Sequence, residues 1–113
     1  MGYVTVDNFE DQILESPIPC VVVFKNEGCH LCRGLNKVIP RLKAKYDRRF
    51  KFAYVDTHQE EGLSEIFNVE GVPTIFMFVN GDGHEIPYPE NPDVFSGYSE
   101  TYLMNYLDAL RNA

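Results

Sequence analysis

The sequence predicts an α/β fold in which a central mixed β-sheet is flanked by helices on both faces. Strand and helix patterns alternate along most of the 113 residues, an order that is typical of layered α/β domains. Residues 20–24 read CVVVF and are apolar at every position, as expected for a strand that is covered on both faces. We therefore expect helices on each side of this strand.

One helix is predicted before this strand. Asp7 and Glu10 have the spacing of a capping box, in which two side chains bond to the backbone of the first helical turn. The predicted helix begins near Asp7 and ends before Pro17, because proline does not continue a helix. The apolar residues that it is expected to bury are Phe9, Ile13 and Leu14.

A second helix and a second strand are predicted to follow. The helix begins at the close pair Cys29 and Cys32 and continues to about Tyr46, and Pro40 is expected to kink it. Residues 50–55 alternate large and small apolar side chains, which favours a second strand. The apolar residues at helical spacing are Leu31, Leu35, Val38, Ile39, Leu42 and Tyr46.

The remaining predicted elements are a short helix, a hairpin and a final helix. Asn68 is expected to adopt a left-handed conformation after the short helix. Residues 74–79 have a strong strand pattern that ends at the Asn-Gly dipeptide of residues 80–81, which is typical of hairpin turns, and residues 85–86 are the predicted returning strand. The final helix begins at about Ser99. The short helix carries the apolar residues Leu63, Ile66 and Phe67. The apolar residues that the final helix is expected to bury are Tyr102, Leu103, Tyr106, Leu107 and Leu110.

Composition limits the expected partners. The chain has 17 acidic and 10 basic residues and a net charge of -7, which argues against nucleic-acid or anionic-membrane binding because phosphates need clustered Lys and Arg. The basic residues between 37 and 51 are expected to be a solvated face. The sequence shows neither a signal-peptide pattern nor an apolar run long enough for a membrane span. We therefore expect a single domain over residues 1–113 that is cytoplasmic and monomeric.

The pair Cys29 and Cys32 is the strongest candidate for chemistry. A cysteine at a helix start faces unpaired N-H groups and the positive end of the helix dipole, which lowers a thiol pKa from about 8.5 toward the range of about 3.5 to 7.5. Cys29 is therefore the predicted nucleophile, and Cys32, one turn later, is placed to resolve a mixed disulfide. In a reducing cytosol such a pair is either redox-active or metal-binding. A structural zinc site needs more ligands than one pair supplies, so no metal site is predicted.

Motifs in a fixed order extend over nearly the whole chain. They are Val4-Thr5-Val6-Asp7-Asn8-Phe9, the strand followed by Cys29-His30-Leu31-Cys32 and a helix that contains Pro40, Gly71-Val72-Pro73-Thr74, Asn80-Gly81, and Gly97 before the last helix. Together they resemble the thioredoxin family. The resemblance implies a thioredoxin-like fold in which the peptide bond before Pro73 is cis and lies beside the cysteine pair. The residues that would bind substrate are Gly28, Val72, Pro73 and Gly97.

The resemblance also implies an activity. The chain is expected to be a protein-disulfide reductase, in which Cys29 attacks a substrate disulfide and Cys32 resolves the mixed disulfide. A thioredoxin-reductase-like electron donor would reset the pair. No bound cofactor is expected, because the sequence has no glycine-rich nucleotide fingerprint. Three alternatives stay open: a thioredoxin-fold binding or adaptor module with idle or regulatory cysteines, metal binding through the cysteine pair across a dimer, and glutaredoxin-like use of glutathione.

The sequence departs from the family at the residues that handle protons. The family has a buried acid six residues before the first cysteine and a lysine that faces it, and these positions are Val23 and Phe52 here. His30 is the nearest titratable candidate for the missing role, and Glu27 is the next.

The residues around the cysteines also predict how oxidising the pair is. The cationic form of His30 would stabilise a Cys29 thiolate and make the pair more oxidising than that of an ordinary thioredoxin. The alternative is that His30 simply faces solvent. Lys25 and Arg33 would add to the positive field; the alternative, which is more common for such residues, is that they are plain solvated charges.

The other candidate residues have simpler interpretations. Cys20 is expected to be a small buried hydrophobe, and His58 and His84 are expected to lie at the surface in turns. The segment 83–96 is longer than the matching turn of typical thioredoxins and is either a partner-specific loop or tolerated surface. Exposure of its aromatic residues would favour a partner-specific loop, and these are Tyr88 and Phe95.

Overall fold

The computed structural model describes residues 2–89 and 98–111. Its four strands are β1 (Cys20–Lys25), β2 (Lys51–Asp56), β3 (Thr74–Val79) and β4 (Asp82–Glu85). They form one sheet in the order β2-β1-β3-β4. Strand β1 is parallel to β2 and antiparallel to β3, and β3 is antiparallel to β4. The predicted α/β class with a mixed sheet is confirmed.

Helical segments cover both faces of the sheet. The helices are α1 (Cys32–Lys45), α2 (Glu61–Ile66) and α3 (Glu100–Arg111), and a π-helical turn covers Glu10–Leu14. Helices α1 and α3 pack on one face, where their apolar residues join one buried cluster. Helix α2 and the π-helical turn pack on the other face, against a second cluster.

Alternation along β1 explains why the sheet needs both layers. Val21 and Val23 point into the cluster beneath α1 and α3. Cys20, Val22 and Phe24 point into the cluster on the opposite face. Because successive side chains of a strand face opposite ways, a strand that is apolar throughout must be covered twice. The prediction made from residues 20–24 is confirmed.

The first helix differs from the prediction. It is only the π-helical turn Glu10–Leu14, and no side chain caps its N-terminus. The predicted capping box is wrong because Asn8, not Asp7, bonds to the local backbone: its Oδ1 accepts the Thr5 N-H at 2.8 Å. Of the three residues that this helix was expected to bury, Phe9 and Ile13 are buried and Leu14 is half-buried.

The hairpin forms at the predicted turn but its second strand was placed wrongly. Asn80 and Gly81 have φ values of 52° and 84°, as a two-residue hairpin turn of this type requires. The turn sets Val79 opposite Asp82, so β4 begins at once at Asp82 and not at residues 85–86. All four residues of β4 are exposed, so this edge strand has no apolar pattern that would have predicted it.

Two apolar residues of the predicted helices are exposed. Ile66 is 68% exposed and Leu31 is 43% exposed. Helix α2 is too short to bury more than one side, and Leu63 occupies that side. Leu31 caps α1 at its N-terminus and so lies outside the helical face that packs on the sheet. Asn68 has the predicted left-handed conformation, with a φ of 55°.

Helices α1 and α3 are joined at the surface as well as in the core. Pro40 lies inside α1, which is one continuous helix on both sides of the proline. Arg41 Nε donates to Glu100 Oε1 at 2.7 Å, an exposed ion pair between the two helices. Tyr46 donates its hydroxyl hydrogen to Asp108 Oδ1 at 2.7 Å. Leu103 and Leu107 supply the fully buried contacts of α3.

Candidate active site

The two central cysteines are joined as a disulfide between β1 and α1. Cys29 lies in the loop after β1, and Cys32 is the first residue of α1. Their Cα atoms are 5.3 Å apart, within the usual range for a disulfide. Cys29 is 9% exposed and Cys32 is 2% exposed, so Cys29 is the sulfur that a partner reaches more easily.

The N-terminus of α1 supplies a hydrogen bond to the sulfur of Cys29. Helix α1 begins at Cys32, three residues later than predicted. Cys29 Sγ nevertheless accepts the Cys32 backbone N-H at 3.0 Å. This N-H belongs to the first helical turn, whose donors have no partner within the helix. A thiolate at Cys29 would be stabilised by this donor and by the positive end of the helix dipole.

Asn26 holds the loop that carries Cys29. Its Oδ1 accepts the Gly28 N-H at 3.1 Å, and its backbone carbonyl accepts the Cys29 N-H at 3.3 Å. Its Nδ2 donates to Thr57 Oγ1 at 3.0 Å, which ties the loop to the segment after β2. The sequence analysis missed Asn26. An asparagine directly after a strand is a turn-forming signal that could have found it.

The Val72-Pro73 peptide bond is cis, as the family resemblance implies. Thr74 pairs with Phe24 in the antiparallel ladder between β1 and β3. The start of β3 therefore lies beside the end of β1, and Pro73 is at the same edge of the sheet as the loop that holds Cys29. Pro73 is buried and Val72 is half-buried.

A cleft of about 540 Å³ adjoins the cis peptide bond. Val72 lies at one side of it and Asn26 at another, and three exposed carboxylates contribute to its wall. These belong to Glu61, Glu65 and Glu70. Val72 thus borders a cleft whose wall carries negative charge.

A second cleft, of about 620 Å³, borders both cysteines. Lys25 enters it from the last position of β1. Its Nζ donates to Asn36 Oδ1 at 2.7 Å and lies 3.9 Å from the ring centroid of Tyr54 and 5.6 Å from that of Tyr3. Glu27, Arg33 and Asp56 also line this cleft.

The four predicted tuning residues therefore separate into two groups. Lys25, Glu27 and Arg33 share the cleft with the cysteines. His30 is exposed. The described residues that line these two clefts do not include it. The sequence analysis missed Asn36 and Tyr54. The spacing of Asn36, four residues after Cys32 on one helix face, was a signal that could have found it.

The interior near the site is apolar at the two positions that differ from the family pattern. Val23 is 0% exposed and Phe52 is 4% exposed, and both belong to the cluster beneath α1 and α3. Neither side chain can take up or release a proton.

The third cysteine and two histidines lie away from the disulfide. Cys20 is fully buried, its thiol lies 3.6 Å from the Ile18 carbonyl oxygen, and burial raises its pKa. His58 is exposed in a turn, as predicted. The turn predicted for His84 is wrong, because His84 lies in β4, where its Nε2 is 2.7 Å from the Tyr106 hydroxyl.

The remaining predicted residues are Tyr88, Gly28, Gly97 and Phe95. Tyr88 is 44% exposed and packs edge-on against Tyr98, with ring centroids 5.1 Å apart. Gly28 is exposed beside Cys29. Gly97 and Phe95 lie outside the described residues.

Among residues 2–89 and 98–111, no group of three or more His, Cys, Asp or Glu side chains is arranged to hold a metal ion. In the same part of the chain, none of the helices has the length and apolarity that a membrane span requires.

Comparisons with known proteins place the chain in a family. The thioredoxin family model matches residues 1–107. Thioredoxin 1 of Synechococcus elongatus is 28% identical over 105 residues, which are 93% of this chain and 92% of the relative. Thioredoxin of Rickettsia bellii is 27% identical over 79 residues, which are 70% of this chain and 75% of the relative. The chloroplastic M-type thioredoxin of Chlamydomonas reinhardtii is 28% identical over 80 residues, which are 71% of this chain and 57% of the relative.

These matches confirm the resemblance on which the sequence analysis relied. The sheet order, the disulfide at the start of α1 and the cis bond before Pro73 fit the same family, whose members are in general thiol-disulfide oxidoreductases. The chain belongs to the thioredoxin family.

Proposed function

We propose that this protein exchanges its Cys29 and Cys32 dithiol with disulfides in other proteins. The observation that carries the proposal is the position of the pair. The disulfide lies at the N-terminus of α1, at the sheet edge that it shares with the cis Val72-Pro73 bond.

The first step is attack by Cys29. In the reduced protein the Cys29 thiolate is stabilised by the first-turn N-H that its sulfur accepts in the oxidised form. The thiolate attacks one sulfur of a substrate disulfide, and a new bond forms between Cys29 and that sulfur. The other substrate sulfur leaves with the electron pair and takes up a proton.

The second step is resolution by Cys32. Its thiol loses a proton, and the thiolate attacks Cys29 Sγ, so that the bond between Cys29 and the substrate breaks. The second substrate sulfur leaves as a thiolate and is protonated. The protein retains the disulfide, and an external dithiol reductase returns it to the dithiol by supplying two electrons and two protons.

The substrate chain is proposed to lie along Val72 with its disulfide at Cys29. Half-buried Val72 lines the cleft of about 540 Å³, which leaves room for an extended chain. Exposed Gly28 lets a substrate approach Cys29 without a side chain in the way. Gly97 is proposed to complete the groove, by resemblance to the family.

The proposed partners are disulfide-containing proteins and a reductase of the thioredoxin-reductase type. The proposed location is the cytoplasm, where such a reductant keeps thiols reduced. The more oxidising potential expected from His30 stays a prediction.

Reduction of insulin disulfides by dithiothreitol, with and without this protein, tests the proposal. We expect the wild-type protein to accelerate the reaction and Cys29→Ser to reduce the acceleration at least about 100-fold, because the attacking sulfur is lost. The matched control is Cys20→Ser, which removes the buried cysteine and should retain the activity.

Other outcomes would favour the alternatives. A wild-type protein that is as inactive as Cys29→Ser but captures a partner would indicate a binding module. Metal that copurifies with the wild type at one ion per two chains, and is lost in Cys29→Ser, would indicate the metal site across a dimer. In the Cys32→Ser variant, substrates should stay bound to Cys29 as mixed disulfides that mass spectrometry identifies.

A further inference from the structure

One ammonium group is held in place in the cleft that borders both cysteines. Lys25 Nζ is hydrogen-bonded to Asn36 Oδ1 at 2.7 Å and lies 3.9 Å from the ring centroid of Tyr54. Burial raises the pKa of the Tyr54 phenol, so this ring stays neutral and its face attracts the cation. Lys25 therefore has two partners that fix its charge, whereas an ordinary surface lysine is free to move.

The position of Asn36 relates the Lys25 charge to the sulfur of Cys32. Asn36 follows Cys32 by four residues in α1, and side chains at that spacing are neighbours on one helix face. Asn36, which accepts a hydrogen bond from the ammonium, is thus one helical turn from Cys32. Lys25 and Cys32 also line the same cleft.

The Cys32 sulfur needs a nearby positive charge in order to form a thiolate readily. Cys32 is 2% exposed, and burial without a charged partner raises a thiol pKa. Val23 and Phe52 leave no acid or lysine at the interior positions where the family pattern has them. Resolution requires the Cys32 thiolate, so a cation that stabilises it would speed this step.

We propose that Lys25, positioned by Asn36 and Tyr54, stabilises the Cys32 thiolate and so promotes resolution of the mixed disulfide. The inference rests on the proposed function and names a positioning residue for it. The Cys32 proton passes to water in the cleft, the thiolate attacks Cys29 Sγ, and the departing substrate sulfur is protonated in turn.

Other charged groups that face the cleft must be weighed against Lys25. They are Glu27 in the loop, Arg33 in α1 and Asp56 in β2. Asp56 Oδ1 already accepts the N-H groups of His58 and Gln59 at 2.9 and 3.2 Å. Glu27 and Arg33 are exposed, so water screens their charges. Lys25 is half-buried and held by two partners, which gives its charge the larger effect.

The first test measures the Cys32 thiol without any need for activity. Cysteine labelled with ¹³C at Cβ reports the ionisation of Cys32 by NMR in a Cys29→Ser background. We expect Lys25→Met to raise the midpoint by about half a pH unit, which is about threefold less thiolate below the midpoint, the usual effect of a nearby charge reduced for partial exposure. Lys25→Arg should keep the lower midpoint, because it keeps the charge.

Two more variants separate the field of Lys25 from a structural effect. Asn36→Leu keeps the charge of Lys25 but removes the acceptor that holds it in place. This variant should raise the midpoint of Cys32 by less than Lys25→Met does. Lys37→Met removes an exposed lysine of α1 that is not among the residues lining this cleft, and it should leave the midpoint unchanged. A midpoint in Lys25→Met equal to that of the background, or an equal rise in Lys37→Met, would overturn the proposal.

The second test links the charge to turnover. With both cysteines present, release of a peptide thiol from a mixed disulfide at Cys29 should be about threefold slower in Lys25→Met than in wild type at pH 7, and the two rates should converge at high pH. Equal rates at all pH values would overturn the role of Lys25 while the wild-type rate still supports the proposed function. A wild type that releases no peptide would overturn the proposed function, and the NMR midpoints would still decide whether Lys25 stabilises the thiolate.

Discussion

Single residues decide both the stability of the fold and the acidity of its groups. Tyr98 is 3% exposed, and its hydroxyl donates to the Ile86 carbonyl at 2.7 Å. Its pKa is raised, first by burial and then by the charge of Glu85. The fold therefore prefers the neutral phenol, which fastens the segment after β4 to the start of α3.

The sign of this shift gives a pH-dependent prediction. The unfolded phenol has a pKa of about 10, and the folded value is higher, so the stabilisation is complete below pH 10 and is lost as the pH rises above 10. Tyr98→Phe should lower the free energy of unfolding by about 1 kcal/mol at pH 7 and by less at pH 11. Urea unfolding at both pH values measures this. Tyr102→Phe, which loses an exposed bond to the Pro87 carbonyl, is the control and should change little, and an equal loss in both variants would contradict the prediction.

At the same scale, some residues of the candidate site were predicted from the sequence and others were not. Cys29 and Cys32 were found by their spacing, and Pro73 by resemblance. The contact of Lys25 with Tyr54 was not predictable, because it depends on the register of β1 against β2, which no local pattern encodes. Long-range pairing therefore determines the charge around the cysteines.

Among the elements, those with strong periodicity were predicted best. Strands β1 and β3 were found within one residue of their ends, because each contains five consecutive apolar residues. The π-helical turn and β4 were predicted wrongly, because the first depends on local hydrogen bonds of Asn8 and the second on the hairpin register. Backbone bonding without an apolar pattern leaves little signal in a sequence.

Two glycines give opposite predictions for the elements in which they lie. Gly34 is exposed in α1, and an added Cβ would meet no atom within 4 Å, so Gly34→Ala should raise the free energy of unfolding by about 0.5 to 1 kcal/mol through helix propensity. Gly81 has a φ of 84°, and an added Cβ would lie 3.2 Å from the Leu14 carbonyl oxygen. Gly81→Ala should lower the free energy of unfolding by about 1 to 2 kcal/mol. Thermal unfolding of both variants tests the pair, and a stabilising Gly81→Ala would contradict the turn geometry.

For the whole molecule, charge is distributed unevenly over the surface. The net charge is -7, yet the cations of α1 and the loop after it are exposed together in residues 37–49. The carboxylates of Glu61, Glu65 and Glu70 line the cleft beside Val72. A substrate that approaches the disulfide along Val72 therefore meets negative charge first.

This distribution predicts which substrates react fastest. Disulfide peptides that carry lysines beside the cystine should be reduced several-fold faster than matched peptides that carry glutamates at low salt, because opposite charges steer association. At about 0.5 M salt the screening length falls to about 4 Å, and the difference should largely disappear. Second-order rate constants at both salt concentrations measure the effect. Glu65→Gln together with Glu70→Gln should reduce the preference for lysine peptides, whereas Glu10→Gln, in the π-helical turn away from this cleft, should leave more of it. Equal rates for the two peptides at low salt would show that the cleft does not act on the approaching substrate.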